Sequence, residues 1–379
     1  MNLAESERIG TLVAGDPGLV VVNSCSVTRE AVRHTRQAIR RIRRERPEAR
    51  LIVTGCAAET ERDQLAAMPE VDGFVANAGK LDARSWNVPA PSRGHQRQRT
   101  RAFVAVQNGC DHACTFCIIP QGRGVSRSLP VAQVLREIER QMDEGAAEIV
   151  LTGVDLTSWG YDLPGAPSLG SLVATILQAL PDLQRLRLSS VDGVEIDEML
   201  FELLASETRV MPHIHLSLQH GADLILKRMR RRHLRNDVHE LVQNLQKTRK
   251  DLSIGADLIA GFPTETPDHH AQNLSIIREL PIVHGHIFPY SPRPGTPAAR
   301  MPQHDKALIR ERAAELRAQV AAVRSDWLAS LIGQSLTVLA EKDGTGHAAN
   351  FARVALPAGT LPGSIINLTP THLDGDLLR

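Results

Sequence analysis

The run Asn108-Gly109-Cys110-Asp111-His112-Ala113-Cys114-Thr115-Phe116-Cys117 follows directly on the apolar stretch Phe103-Val104-Ala105-Val106-Gln107. The second stretch reads as a short buried strand and the first as the loop that leaves its C-terminal end. The cysteine spacing is C-x3-C-x2-C, and no further cysteine follows it. Three soft thiolates so close together suit an iron–sulfur cluster. A cubane held by three protein thiolates keeps one iron open, and an open position separates a reactive metal site from a closed structural one. The competing reading is a zinc knuckle completed by His112 or a distant histidine. Without a second C-x2-C pair, the spacing fits zinc poorly.

Outward from this loop the chain reads as six strand–helix units between Phe103 and about Ser330. The strands fall at Phe103–Gln107, Glu148–Gly153, Leu183–Ser190, His213–Gln219, Ile254–Phe262 and Val283–Tyr290. Helical stretches separate them, among them Pro130–Glu144, Leu169–Ala179, Asp197–Ala205 and Asp237–Thr248. Six units imply a partial, open (β/α)6 barrel, and such barrels carry their chemistry at the C-terminal ends of the strands. The cysteine loop sits at that end.

The rest of the chain has a different texture. Residues 1–86 alternate strands (Leu19–Asn23, Leu51–Gly55, Val71–Val75) with a basic helix from about Thr28 to Arg46, closed by Pro47. This predicts an open, Rossmann-like α/β domain. Residues 87–100 are rich in Pro, Ser, Arg and Gln and read as a linker to a core at 101–331. Residues 332–379 hold short strand-like runs (Ser335–Ala340, Ala352–Leu356, Ser364–Leu368) set apart by Gly, Pro and Asp, as in a compact β module.

With 379 residues, 42% hydrophobic and 23% charged, the composition is that of an ordinary multi-domain globular chain. It has no long apolar run and no cleavable signal, which predicts a cytoplasmic protein without a membrane anchor. Five cysteines, three of them clustered, argue for metal binding in a reducing compartment. The net charge is only +1, yet Arg-rich runs occur at 33–46, 93–101 and 227–235. These are compatible with a polyanionic partner, while each taken singly could be a solvated face.

The motifs extend past the cysteines: Gln107-Asn108-Gly109-Cys110-Asp111, then Cys117-Ile118-Ile119-Pro120-Gln121-Gly122-Arg123-Gly124 and Ser126-Arg127-Ser128. Further along come Leu151-Thr152-Gly153-Val154-Asp155-Leu156, Leu216-Ser217-Leu218-Gln219-His220-Gly221, Gly261-Phe262-Pro263-Thr264-Glu265-Thr266 and Phe288-Pro289-Tyr290-Ser291-Pro292-Arg293-Pro294-Gly295-Thr296. Over its whole length the chain resembles the radical S-adenosylmethionine (SAM) methylthiotransferases. The resemblance implies a [4Fe–4S] cluster on Cys110, Cys114 and Cys117 that binds and reductively cleaves SAM. It also implies an auxiliary cluster on three N-terminal cysteines. Cys25 and Cys56 match two of those. The third belongs to a Gly-Cys-x-x-Asn turn whose Asn matches Asn2, so the expectation is a truncated N-terminus and a weak or missing auxiliary cluster. The C-terminal module resembles an RNA-binding TRAM β-barrel, with a generic β cap as the alternative.

The implied reaction replaces an aromatic C–H by C–SCH3 on tRNA, chemistry that a cofactor must carry. Asp155 matches the segment near the SAM amino group, though a capping role is the plain alternative. Ser189, Ser217 and Gln219 end the third and fourth strands and could bond the ribose or carboxylate of SAM. Arg123 and Arg127 could pair with the SAM carboxylate or a tRNA phosphate. The wording around Cys110–Pro120 and Gly153–Gly160 looks most like the threonylcarbamoyladenosine subgroup, acting at position 37 of the anticodon stem-loop. Isopentenyladenosine in tRNA is the runner-up. A monomer served by a flavodoxin or ferredoxin donor is expected. Two further readings are an RNA-binding iron–sulfur protein without activity, and an enzyme that cleaves SAM without transferring sulfur.

Overall fold

The computed structural model describes residues 2–88 and 100–379. Of the expected linker, residues 89–99 lie outside the described residues, as does most of the 93–101 basic run. The chain forms two compact units, and the stretches Asn108–Arg127 and Ser291–Arg300 belong with the N-terminal one.

In the N-terminal unit three parallel strands, β1 (Leu19–Ser24), β2 (Arg50–Gly55) and β3 (Gly73–Phe74), lie in that order. Apolar residues alternate between their two faces. On one side Val32 and Ile39 of α2 (Arg29–Glu45) pack with Leu51 and Val53. On the other, Ile9 of α1 (Asn2–Leu12) packs with Leu19, Val75 and Trp86. Helix α2 starts where Thr28 caps it, its side-chain oxygen accepting from Ala31 N at 3.0 Å. Ser24 and Gly55 are register partners. Gly55 has φ +90°, and a Cβ there would sit 2.4 Å from the Ser24 carbonyl oxygen. Only glycine permits this approach, and it sets Cys25 and Cys56 side by side just beyond two neighbouring strand ends.

The other unit contains six parallel strands. Strands β4 (Arg101–Ala105), β5 (Glu148–Thr152) and β6 (Arg185–Leu188) pair in that order. After Ser189 the chain continues as Ser190–Val191, which pairs with β7 (His213–Gln219), followed by β8 (Ser253–Ala260) and β9 (Ile282–Pro289). These six match the predicted strands to within two or three residues. One face of each strand feeds a continuous apolar core, with Ile149, Leu151, Ile214, Leu216, Ala256 and Leu258 beneath the surrounding helices. The last of these is the long helix α3 (Lys306–Ser330).

At the N-terminal end of the strands the interior is charged. Glu148 is fully buried, and its carboxylate accepts from Arg101 at 2.6 Å and Arg187 at 2.9 Å, with Arg185 at 3.7 Å. The arginines reach on into the C-terminal module. Arg185 donates to the carbonyls of Thr337 and His347, Arg187 to that of Ala349, and Arg101 pairs with Glu341. The Phe351 ring lies against the guanidinium groups of Arg101 and Arg187. The module is a six-stranded mixed sheet, with Leu336–Ala340 paired antiparallel to both Thr345–Ala348 and Ile365–Leu368.

Burial pushes the Glu148 carboxyl up, but Arg187 and Arg101 outweigh it and hold it at about 2. Because the folded value is below the unfolded one, its contribution to stability is complete above the ordinary carboxylate range. It is lost as pH falls from there toward about 2. Glu148→Leu should destabilise the fold by roughly 3–5 kcal/mol, since three arginines lose their buried counter-charge. It should also flatten the acid limb of stability against pH. Denaturant titrations at neutral and acid pH read both effects, and an unchanged midpoint would refute the assignment.

Candidate functional site

In the N-terminal unit the cysteine loop is shaped by its glycines and its peptide N–H groups. Gly109 has φ +76°, and a Cβ there would stand 1.9 Å from the Val125 carbonyl oxygen. Cys110 N bonds the Gly124 carbonyl at 3.1 Å and Ser126 N bonds the Asp111 carboxylate at 3.0 Å. These bonds fold the segment back on itself. Cys110, Cys114 and Cys117 are half-buried. The N–H of His112 points at Cys110 Sγ and that of Ile119 at Cys117 Sγ, both at 3.4 Å. Peptide donors aimed at half-exposed thiols are what a cluster bound through thiolates needs, because such bonds stabilise negative sulfur. The loop therefore fits a [4Fe–4S] cluster.

The same unit brings the N-terminal cysteines to the segment after Cys117. A Cβ on Gly122 would lie 3.1 Å from that of Cys56, so the helix Ile119–Arg123 rests on Cys56. Among the described residues Cys25 and Cys56 are the only thiols at that point, one short of the three the resemblance implies. Arg123 does not face an incoming anion. Its guanidinium is buried, bonding Glu5 at 2.6 Å, Asn2 at 2.7 Å and Asn108 at 2.8 Å, and it lies against the Cys56 sulfur. Lys80 closes the group through a buried 2.7 Å bond to Glu5. Burial pushes Glu5 up and Lys80 down. For Glu5 the hydrogen bond and charge of Arg123, then those of Lys80, outweigh burial and hold it below the usual carboxylate range. Burial pushes the Cys56 thiol up, with Arg123 and Lys80 opposing. Arg127 is exposed.

In the barrel unit the remaining predicted residues sit at strand ends. Gln107 Oε1 accepts from Val154 N and Asp155 N, both at 2.9 Å, and so holds the turn after β5. Gly153 leaves room for it. The Asp155 carboxylate accepts from Ser158 Oγ at 2.7 Å. Ser189 Oγ is buried with no hydrogen-bond partner among the described residues. Ser217 and Gln219 are half-buried, and Gln219 adopts φ +68° where the register of β7 against β8 shifts.

Sequence reasoning passed over the braces behind these groups. Asp192, just past Ser190–Val191, accepts from Arg231 at 2.6 Å and faces His233 and Arg232. Burial opposes its charge, yet the His233 bond and Arg231 hold it at about 2. Arg231 also bonds the Ser217 carbonyl at 2.9 Å. Within the Gly261–Thr266 motif, Glu265 accepts the N–H groups of Gly261 and Phe262, with His220 and Arg312 on the same carboxylate. That motif is a pivot for the strand ends. Half of the basic residues of the 227–235 run are likewise spent on the fold, with Arg228 on Thr264, Arg231 on Asp192 and Ser217, and Arg235 on Gly221, Gln272 and Ser275, while Lys227, Arg230 and Arg232 are exposed. On α2, by contrast, Arg33, Arg40, Arg41 and Arg44 remain exposed.

Residues 104–275 match the radical SAM superfamily, and residues 2–76 match an uncharacterized family designated UPF0004. A curated threonylcarbamoyladenosine tRNA methylthiotransferase, MtaB of Rickettsia prowazekii, is 41% identical over 94% of this chain and 89% of its own length. The chain belongs to the radical SAM methylthiotransferase family. MtaB of Thermotoga maritima is 33% identical over 88% of the chain and 81% of its own length. Among solved structures, the radical SAM methyltransferase TsrM from Kitasatospora setae superposes with a TM-score of 0.54. It shares 18% identity, over 78% of this chain and 66% of that one, so the likeness is one of fold. A [4Fe–4S] cluster and SAM are accordingly the cofactors of this radical SAM enzyme. No helix among the described residues is long and apolar enough to cross a membrane.

Gly109→Ala should abolish cluster assembly although every cysteine remains. After anaerobic reconstitution the parent loop should hold about four irons, and the variant nearly none. Equal iron in both would show that the Val125 contact does not set the loop.

Proposed function

We propose that this chain methylthiolates C2 of N6-threonylcarbamoyladenosine at position 37 of tRNA. The observation that carries the reading is the 41% identity with the Rickettsia prowazekii MtaB protein over 94% of the chain. The fit of the Cys110–Cys117 loop to a cluster with an open iron supports it. What a cluster on these thiolates supplies when bound is an electron for reductive cleavage of SAM.

The chain's own residues have positioning work to do. The Ser189 hydroxyl, the Ser217 hydroxyl and the Gln219 amide offer hydrogen bonds to the ribose or carboxylate of SAM. The Asp155 carboxylate, fixed by Ser158 and by the Gln107 bracket, opposes the SAM ammonium. The Asp192–Arg231 pair holds the Ser217 end of β7 in place, so that these donors need no rearrangement on binding. The exposed arginines of α2 suit the phosphates of an anticodon stem-loop. A one-electron donor of the flavodoxin or ferredoxin class completes the system.

The test is an anaerobic reaction with SAM, reductant and two anticodon stem-loops, one carrying threonylcarbamoyladenosine and one isopentenyladenosine. Mass spectrometry of the digested nucleosides should show H replaced by SCH3 on the first RNA only. A methylthio product on the isopentenyl RNA alone would overturn the substrate. Release of 5′-deoxyadenosine without product on either RNA would leave SAM cleavage without sulfur transfer.

A further inference from the structure

Three polar side chains on consecutive strands meet on the interior face of the barrel unit, apart from the strand-end groups described above. They are His215 on β7, Asp257 on β8 and His286 on β9. Asp257 Oδ1 lies 3.0 Å from His215 Nε2 and 3.1 Å from His286 Nδ1, so one carboxylate oxygen spans both rings. Their direction follows from the alternation of the strands. Ile214, Leu216, Ala256, Leu258 and Ile287 belong to the apolar core under the helices. A Cβ on Gly285 would run into Val320 of α3 at 2.5 Å. The residues between them therefore point inward. Space for the group is built in, because a Cβ on Gly255 would lie 2.3 Å from His215 Nδ1.

Exposure assigns the parts. The His215 side chain is 9% exposed and Asp257 20%, while His286 is 65% exposed. With Nδ1 taken by Asp257, His286 presents Nε2 to the open interior. Phe288, two residues nearer the C-terminal end of β9, stands edge-on to it at 6.5 Å between centroids and is itself exposed. One layer deeper, His213 and His284 are desolvated and kept neutral, with Arg187 and Arg324 near them. The positive character of this wall thus gathers on His286, where the Asp257 bond raises the affinity for a proton. Burial opposes the Asp257 charge, but its two histidine bonds hold it at about 2. An imidazolium pinned by a half-buried carboxylate, beside an exposed aromatic ring, suits an anionic group carried on a planar base.

We propose that His286, oriented by Asp257 and His215, binds the carboxylate of the threonylcarbamoyl group on the target adenine. This rests on the substrate reading above, and it assigns recognition of the N6 substituent to the β7–β9 wall.

The test compares two anticodon stem-loops on the cluster-loaded protein with SAM. One carries threonylcarbamoyladenosine and the other its threoninamide, which has the same shape without the charge. The wild type should bind the carboxylate RNA about tenfold more tightly than the amide. This preference should decay as pH rises through the elevated His286 value, while amide affinity stays flat. His286→Leu should bind both RNAs alike, and His286→Lys should restore the preference while carrying its pH dependence upward. A preference that survives in His286→Leu overturns the proposal, as does an equal loss of both RNAs there with iron content intact. Stoichiometric binding of zinc that disappears in His286→Leu would overturn it in favour of a metal site. Turnover of the threonylcarbamoyl RNA with no carboxylate preference refutes this inference alone. Turnover of only the isopentenyl RNA refutes the substrate reading itself.

Discussion

The barrel unit is organised around one buried charge. Glu148 sits at the start of β5 with no solvent contact, and it is ionised because Arg187 and Arg101 face it. A lone carboxylate there would be prohibitive, and so would the arginines without it. Each arginine has a second partner beyond the strands, in the carbonyls of the C-terminal module, in Glu341 or on the Phe351 face. The small β module is thereby fixed to the N-terminal end of the barrel by directional bonds as well as by apolar packing. The opposite, C-terminal end is braced within the barrel unit itself, by Asp192 with Arg231 and by Glu265 with His220 and Arg312.

From that floor upward, the period of two along each strand does the sorting. One parity of β7, β8 and β9 is Ile, Leu and Ala against helices, and the other is His, Ser, Gly and Asp toward the interior. An eight-stranded barrel of this type fills its interior with apolar layers. Six strands leave an open interior, and here it is lined with polar side chains that bond one another in layers. His213 with Ser253 forms one layer, and His215 with Asp257 and His286 the next. Satisfying these groups laterally keeps them rigid and leaves His286 Nε2 facing the open interior.

Much of this was legible in the sequence. Strand β7 and the helix Leu169–Ala179 match their predicted bounds, and the other barrel strands differ by no more than three residues. Buried parallel strands are strongly apolar on one parity, and glycines or prolines end them. The long helix α3 gave a weaker signal, because Ala313 and the buried Arg312 form part of its inner face in place of large apolar residues. The short strands at Thr345–Ala348, Leu373–Asp374 and Leu377–Leu378 were not legible, since only their pairing across the module defines them. The three cysteines could be read because ligand spacing is local. The His215–Asp257–His286 wall could not, because its members are contributed by three strands and meet only through sheet register.

Arginine is where the linear sequence misleads most. The charge runs suggested anion-binding faces, and Arg123 beside the cysteines suggested a ligand for SAM. In the folded chain Arg123 is committed to Glu5, Asn2 and Asn108, and Arg228, Arg231 and Arg235 of the 227–235 run hold carbonyls and carboxylates of neighbouring loops. The reason is geometric. A planar guanidinium with five donors can tie together several carbonyl ends that a strand-to-helix turn leaves unpaired. Enzymes that place long functional loops at strand ends have many such turns to hold. A basic run is therefore evidence for a polyanion only where the fold leaves the charges unspent, as it does among the described residues for the exposed Arg41 and Arg44 of α2, whereas the exposed Arg33 and Arg40 pair with Glu30 and Glu70. The same test separates His286 from its neighbours on the barrel wall. His213 and His284 are consumed by packing and desolvation, and His286 alone of the three keeps a ring nitrogen directed at open space.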